Sequence, residues 1–496
     1  LALGVLLHDL SFEPAHPQIL VLLALMLSCV LSLNGGRAAM LAMGAIGAVL
    51  LFTKINTGVF YLMALGFTLA CRLPAPRARR LLTAAGVLFA AAFPALLMRH
   101  HLPAQAAWLC LLATVSLAGA FFAARLSATQ RPDASAGPPT PLYAAIGFAA
   151  GAAAITVTAL LTGVPLPALM EGVLWGPLRH PGVYAVLMEV SPLQALFAVA
   201  AVAFTLALHL LRPRWQHREP RLRLLVCAAG IVAVPILALA TRDLAWLLPL
   251  LPLGLLWPCS NPPAGDLPCF LTCLSAAEFL QVYPIRGTQA AIAAAPLLLW
   301  AFLCIARGSE VPAGPSNPAR AAVPGGALLL AFAALLLASG QCALSYPDPP
   351  SGLRGASWLH LPAPRAAAYR TLASQIRANC AILFTLPGMG SFNLWAGVPP
   401  PNGMNLTAWV RDFTPLQQQG ILDILRNNPR SCAVYSPVQT AGWQNTARDL
   451  DSPLARYITG EMPPAFEALG YQIRVHPRRD TPWTPQPPDT AAGDRP

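Results

Sequence analysis

Charge is what this sequence has least of. Only 10% of its 496 residues are charged and 56% are hydrophobic, against roughly 25% charged in soluble domains. That shortage excludes an ordinary cytosolic enzyme. Lysine is almost absent: Lys54 is the single one, and the other basic residues are all Arg. Also missing are a Walker-type phosphate loop, a G-x-G-x-x-G after a strand, H-E-x-x-H and G-x-S-x-G, so the chemistries those sequences carry have no foothold. No internal repeat is evident, which weakens an inverted-repeat transporter. Collagen, coiled coil and wholesale disorder are excluded by composition.

What is present is a long series of apolar runs up to about Gln341, followed by mixed polar sequence. The expected fold class is a polytopic α-helical membrane protein of about 12 spans with a C-terminal extracytoplasmic α/β domain. A ~30 Å hydrocarbon core takes about 20 apolar residues, fewer where protein covers the ends. The expected spans are 18–34, 38–53, 59–71, 81–98, 106–124, 142–162, 195–211, 224–240, 247–258, 269–282, 289–306 and 326–341. The net charge of +12 is no nucleic-acid footprint, because the Arg residues sit in short loops between runs rather than on one basic face. Arg72, Arg77, Arg79 and Arg80 form one such loop, Arg125 and Arg131 a second, and Arg212 to Arg223 a third. Alternating the spans puts all three on one side, which the positive-inside rule makes cytoplasmic. Outside then lie 8–17, the Lys54 turn, 99–105, 163–194, 241–246, 283–288 and everything after Gln341.

Residues 1–341 are therefore expected to be the multi-span domain, with interfacial helices lying on the outer surface in 163–194. From Cys342 the composition turns globular. A helix at 364–379, a strand from Cys380 to Leu386, a helix at 415–427, a strand from Cys432 to Ser436 and a third from Tyr471 to Val475 suggest a small α/β domain over 342–475. Cys380 and Cys432 both begin expected strands, so they could pair in an oxidising compartment. The Pro-rich stretch 476–496 is expected to be disordered. Eleven Cys are scattered, mostly within apolar runs, and Cys269 and Cys273 are expected to be core packing rather than a zinc site.

Three polar interruptions could carry chemistry. Lys54 lies in Phe52-Thr53-Lys54-Ile55-Asn56-Thr57-Gly58, between two apolar runs. A cation at membrane depth is a functional candidate by default, although a lysine snorkelling to the interface is the plain alternative. Thr53, Asn56 and Thr57 favour the first, since with the ammonium they could hold an anionic headgroup. The second is Gln281 to Gln289, where Arg286 offers a fork suited to phosphate and Tyr283, Gln281 and Gln289 offer neutral hydrogen bonds. A polar turn between helices explains it equally well. The third is the loop with His8, Asp9, Glu13 and His16, which a solvated loop would also explain. Glu171, Arg179, His180 and Glu189 are weaker candidates, and Glu278, inside an apolar span, calls for a buried partner. Asn405-Leu406-Thr407 fits a glycosylation sequon.

With those residues in view, the chain resembles the GT-C-type membrane glycosyltransferases that use polyprenyl-phosphate sugars. Gly47 to Lys54, ending Leu50-Leu51-Phe52-Thr53-Lys54, is similar to the "G-L-x-x-L-T-K" stretch of the aminoarabinose-transferase and protein-mannosyltransferase-like branch. The Tyr283-Pro284 turn and Leu386 to Trp395 are similar to stretches in bacterial membrane proteins of this superfamily. The likeness covers most of the chain in architecture and only short stretches in residues. It implies sugar transfer at the outer face of a bacterial plasma membrane, from a polyprenyl-phosphate donor to a glycan, lipid or protein acceptor. Lys54, Asn56 and Arg286 would bind the donor phosphate, with His16, Tyr283 and Gln289 nearby. One departure matters: the family's essential carboxylate, in the first outer loop, would fall upstream of Leu1, leaving Glu13 and Asp9 as the acids at hand. The chain is accordingly expected to be an N-terminally incomplete member. No metal ligands or certain cofactor emerge, and a divalent cation (Mg or Mn) is left open. A lipid or solute transporter and a noncatalytic envelope-assembly protein are the alternatives.

Overall fold

The structure is a computed structural model that describes residues 18–34, 36–99, 101–102, 106–129, 140–176, 187–210, 244–256, 267–284, 289–309, 348, 350–356, 360–402, 413–443 and 452–486. The chain divides into two compact units, Leu1–Gln341 and Cys342–Pro496.

The first unit is helical. Its elements are α1 (Gln18–Asn34), α2 (Arg37–Thr53), α3 (Ile55–Cys71), α4 (Pro76–Met98), α5 (Ala107–Thr129), α6 (Thr140–Leu161), α7 (Leu166–Met170), α8 (Pro192–Leu210), α9 (Leu244–Leu247), α10 (Leu251–Leu256), α11 (Leu267–Glu278) and α12 (Gln289–Ser309). Three of the described helices, Pro76–Met98, Ala107–Ser127 and Pro141–Leu161, are long and apolar enough to cross a membrane. Three such helices among the described residues meet the expectation of about 12 spans only in part. Apolar composition records that a segment is buried or lipid-facing, not how far its helix continues. Thus α1, α2 and α3 run 17 residues each, about 25 Å at 1.5 Å per residue. The expected span 247–258 is broken into α9, a 3₁₀ turn at Leu248–Leu250 and α10, with Pro249 and Pro252 each denying the helix a donor. The segments 224–240 and 326–341 lie outside the described residues. In 163–194, α7 and a single π-turn at Glu171–Trp175 are short, and 177–186 lie outside the described residues.

Two close approaches hold the bundle around α2. At the crossing of α2 and α6, a methyl carbon on Gly44 would lie 1.9 Å from the Ala144 carbonyl oxygen, and one on Gly147 1.9 Å from that of Leu41. Small residues let the two backbones touch, the device that packs helices where the hydrophobic effect gives no drive. Between α2 and α3, a methyl on Gly58 would come within 2.3 Å of the Leu51 Cα. That contact folds α3 tightly back along α2. The core beyond these seams is aromatic and small: Tyr61 meets Phe270 edge-on at 5.8 Å, Phe67 meets Phe121 at 4.5 Å, and Trp300 is fully buried. Cys269 and Cys273 are buried in this core as packing thiols. By contrast α4 and α6 expose Leu81, Leu88 and Leu161, a surface suited to hydrocarbon rather than water.

The second unit is α/β. Its elements are α13 (Ala363–Asn379), β1 (Ile382–Leu386), α14 (Ser391–Ala396), α15 (Pro415–Asn427), β2 (Ser431–Tyr435), α16 (Pro437–Trp443), α17 (Pro453–Arg456), β3 (Pro464–Ala468) and β4 (Tyr471–Val475). The strand order is β1-β2-β4-β3. β1 and β2 run parallel through the crossover helix α15, while β4 is antiparallel to both β2 and β3. A Thr414–Gln417 capping box and Pro415 in the first turn start α15, and Ile421, Leu422 and Leu425 seat it on the sheet. Cys380 and Cys432 form a disulfide with Cα atoms 5.7 Å apart, joining the start of β1 to β2.

The expectation of disorder from 476 onward is corrected as far as Gln486. Asn379 donates to the Thr484 carbonyl (3.1 Å) and accepts from its N–H (3.2 Å). Gln375 does the same with Gln486, at 2.7 and 3.2 Å. Two side-chain amides thus act as a strand edge for a Pro-rich segment that forms no ladder of its own, and Trp483 packs on the core beneath.

Candidate functional site

The site is built around a one-residue break. Lys54 has extended backbone (φ −154°, ψ 99°), and it both ends α2 and begins α3. Its N–H donates to the Leu50 carbonyl at 2.8 Å, and its own carbonyl accepts from the Gly58 N–H at 3.0 Å. The hydrogen-bond ladder therefore closes one helix and opens the next across this residue. The Gly58–Leu51 contact fixes the angle between the two helices and with it the place of the lysine. Lys54 Nζ is buried. The residue is the N-cap of α3, and a helix N-terminus favours an anion. Asn56 is spent locally, since its Oδ1 accepts the Thr57 N–H at 3.0 Å. Thr57 is fully buried, and its hydroxyl has no hydrogen-bond partner among the described residues.

Against α3 packs α11, which ends at Glu278 and runs on through a 3₁₀ turn, Phe279–Val282, to Tyr283. Glu278 is completely buried, and Lys54 is the charge that acts on it. Gln281, also completely buried, donates from Nε2 to Glu278 Oε2. The second oxygen of Glu278 and the amide oxygen of Gln281 have no hydrogen-bond partner among the described residues. Glu278 lies close enough to act in turn on Tyr61 of α3 and Cys29 of α1, and Tyr61 Oη donates to the Met43 carbonyl at 3.0 Å. Four elements of the bundle thus bring one cation, one carboxyl and several polar atoms to one buried place. A Lys–Glu pair in a low dielectric is tolerable where each charge offsets the other, and a lone ion there is expensive.

The residues expected from the sequence are distributed as follows. Tyr283 is buried, and its hydroxyl lies 2.8 Å from His101 Nδ1, at the turn after α4. Gln289 opens α12, with its side-chain oxygen buried and without a hydrogen-bond partner among the described residues. Asp9, Glu13, His16 and Arg286 lie outside the described residues, as do Arg179, His180 and Asn405. Glu189 is exposed and Glu171 half-buried, so neither joins the Lys54 cluster by burial. Gln281 belongs to the second polar interruption read from the sequence, and the sequence marks Glu278 as an acid in need of a buried partner. The signal for Glu278 was present, an acid within an apolar run; what was missing was its partner. Among the described residues no group of three or more His, Cys, Asp or Glu could hold a metal ion.

In the second unit, the stretch Leu386 to Trp395 has structural work. Thr385 Oγ1 accepts the Met389 N–H at 2.8 Å, and Asn393 Nδ2 donates to the Leu383 and Val398 carbonyls at 3.0 Å each. These bonds fasten α14 to the end of β1. Comparison of the chain with protein-family models, with curated proteins and with solved structures returned no match.

Proposed function

We propose that this chain is a membrane glycosyltransferase of GT-C type. It would move a sugar from a polyprenyl-phosphate donor to a glycan, lipid or protein acceptor at the outer face of a bacterial plasma membrane. The observation that carries this reading is the single lysine of the chain, buried at a helix break with the N-terminus of α3 behind it. In transfer, the bond between the anomeric carbon and the phosphate oxygen breaks, and the acceptor oxygen bonds to that carbon. The acceptor proton goes to a carboxylate, for which Glu13 and Asp9 are the sequence candidates. The negative charge that grows on the leaving phosphate is met by Lys54, with Arg286 as the second cation the sequence offers. The polytopic architecture expected from the apolar runs and the three Arg loops would give the donor its membrane and place Lys54 on the outer side.

A second reading has its own support. A buried carboxyl acting with a buried cation among apolar helices is also what a proton-coupled lipid or solute transporter would carry. Full-length protein in vesicles, supplied with radiolabelled polyprenyl-phosphate sugar and cell membranes as acceptor, separates the readings. Label transferred to an acceptor is the expected result. Carrier movement without transfer would support transport, and neither would support an assembly role.

A further inference from the structure

The α/β unit carries its exposed apolar side chains unevenly. Among its described residues the large ones are Leu394, Leu416, Ile424, Val438 and Leu469. Leu394 and Ile424 lie on the flanking helices α14 and α15, and the other three share one end of the sheet. β2 ends at Tyr435, and Val438 follows in the first turn of α16. β4 runs antiparallel to β2 with Gln472 opposite Tyr435, which brings the β3–β4 turn and its Leu469 to the same end. Gln439 Nε2 donates to Tyr471 Oη at 2.8 Å and ties the two turns together. The crossover helix α15 leads back to the start of β2, so its first turn, with Leu416, lies at this end too. Leu416 is 84% and Val438 75% exposed. The opposite end exposes Arg426, Arg430, Arg478 and Asp480 instead.

Leu469 adds a second observation. It holds left-handed backbone (φ 52°), where Asn or Gly would fit at lower cost, and half of its side chain lies outside the protein. Water offers nothing to offset either penalty, whereas an apolar phase does, and backbone outliers of this kind gather where a surface has work to do. The course of the chain indicates which phase. α13 runs back along β1: its Tyr369 meets Tyr471 at the apolar end, with ring centres 6.0 Å apart, and Cys380 after it joins Cys432 at the far end. The chain therefore enters the unit at the apolar end, where Arg370 holds the Ser351 carbonyl at 2.6 Å. In sequence only residues 342–349 separate Pro350 from the apolar run that closes at Gln341, a reach of about 30 Å at most. We propose that this end of the α/β unit, through Leu416, Val438 and Leu469, seats in the interfacial layer of the phospholipid bilayer. A few apolar side chains reach the acyl boundary while the polar remainder stays in water. The proposal rests on the chain lying in a membrane and not on the chemistry proposed for Lys54.

The test uses the full chain in phosphatidylcholine nanodiscs, with the photo-crosslinker p-benzoylphenylalanine at one position at a time and adducts located by mass spectrometry. It replaces Leu416, Val438 or Leu469 at the apolar end, Arg430 or Arg478 at the far end, and Leu88 of α4 as the bilayer control. Phosphatidylcholine adducts are expected at Leu416, Val438, Leu469 and Leu88, and none at Arg430 or Arg478. With the crosslinker at Leu416, Val438→Asp together with Leu469→Asp should abolish the lipid adduct, because the native side chains and not the probe seat the end. Folded variants at Val438 and Leu469 that give no lipid adduct, while Leu88 does, overturn the proposal. So do equal adducts at Arg430 and Arg478, or a crosslink to a second copy of the chain in place of lipid at Val438. Should the Leu469 variant not fold, Leu416 and Val438 decide. No adduct at Leu88 removes the membrane reading itself, and the proposal with it.

Discussion

The two units handle buried polar groups in opposite ways. In the helical unit, hydroxyls bond their own helix: Ser28 to the Ala24 carbonyl, Thr68 to Ala64, Thr205 to Ala201 and Ser275 to Leu271, each at 2.7–2.8 Å. Such bonds hold nothing together across the fold, so helix joins helix mainly through bare backbone contact at Gly44, Gly58 and Gly147, with Tyr61 to the Met43 carbonyl and Tyr283 with His101 as cross-links. In the α/β unit, polar side chains reach distant chain instead. Asn379 and Gln375 bind the segment beyond β4, and Arg474 gathers the Ile458, Thr459 and Met462 carbonyls at 3.3, 2.8 and 3.0 Å. Against the self-contained habit of the first unit, the Lys54–Glu278–Gln281 group stands apart. One side-chain oxygen each of Glu278 and Gln281 is buried without a hydrogen-bond partner among the described residues. A departure from the local rule marks a site more surely than polarity alone.

The comparison breaks most readily at the glycine seam. Gly147→Ala places a methyl against the Leu41 backbone oxygen, an atom that cannot move without the helix. Loss of about 3 kcal/mol, or no folded protein, is expected. Thermal unfolding in nanodiscs measures it, and a loss under about 0.5 kcal/mol would mean that α2 and α6 do not meet there.

How much of this was legible in sequence depended on how local the cause was. The helix at 415–427 was readable because its cap, its first-turn proline and its apolar spacing all lie within the segment. Strand 471–475 alternates buried and half-buried residues, as its sequence suggests. β3 was missed because it begins with Pro464 and lies at the sheet edge, half-exposed, so neither periodicity nor apolar density marks it. The tail was misjudged because its partners, Gln375 and Asn379, sit on α13 far upstream. Lys54 could be singled out by rarity, but its nearness to Glu278 depends on α3 and α11 meeting in space, which no local pattern records.

The α/β unit offers the complementary test. Asn379→Leu removes both bonds to Thr484 and the bond to the Gln375 carbonyl while keeping size. A cost of about 2 kcal/mol is expected, with faster proteolysis after residue 476 and no change in the helical unit. Equal protection of 476–486 in the variant would show that Gln375 and Trp483 hold the segment without Asn379. At high pH the same unit should weaken. Burial pushes the Tyr471 phenol above its ordinary value, and Tyr369 pushes it further. The folded state therefore holds that proton more tightly than the unfolded state does. Its stabilising contribution is intact below about pH 10, the unfolded value, and is lost as the pH rises through the folded value. Hydrogen exchange at β2 and β4 should accelerate above that pH, and Tyr471→Phe should flatten the rise. The smallest effect is at the β3–β4 turn, where Leu469 (φ 52°) and Gly470 (φ 73°) both take left-handed backbone. Leu469 is half exposed, so Leu469→Asn relieves strain and loses little packing. A gain of about 0.5–1 kcal/mol is expected, and destabilisation would contradict that turn.

The most direct test of the central claim is the rate of sugar transfer by Lys54→Met at subsaturating polyprenyl-phosphate donor. Loss of one charge-assisted phosphate contact is worth about 1.5–3 kcal/mol, so the rate should fall roughly ten- to a hundredfold. Lys54→Arg should restore part of it, keeping the charge while changing its shape. Transfer by folded Lys54→Met at the wild-type rate would contradict the claim and make Lys54 an anchor between two helices.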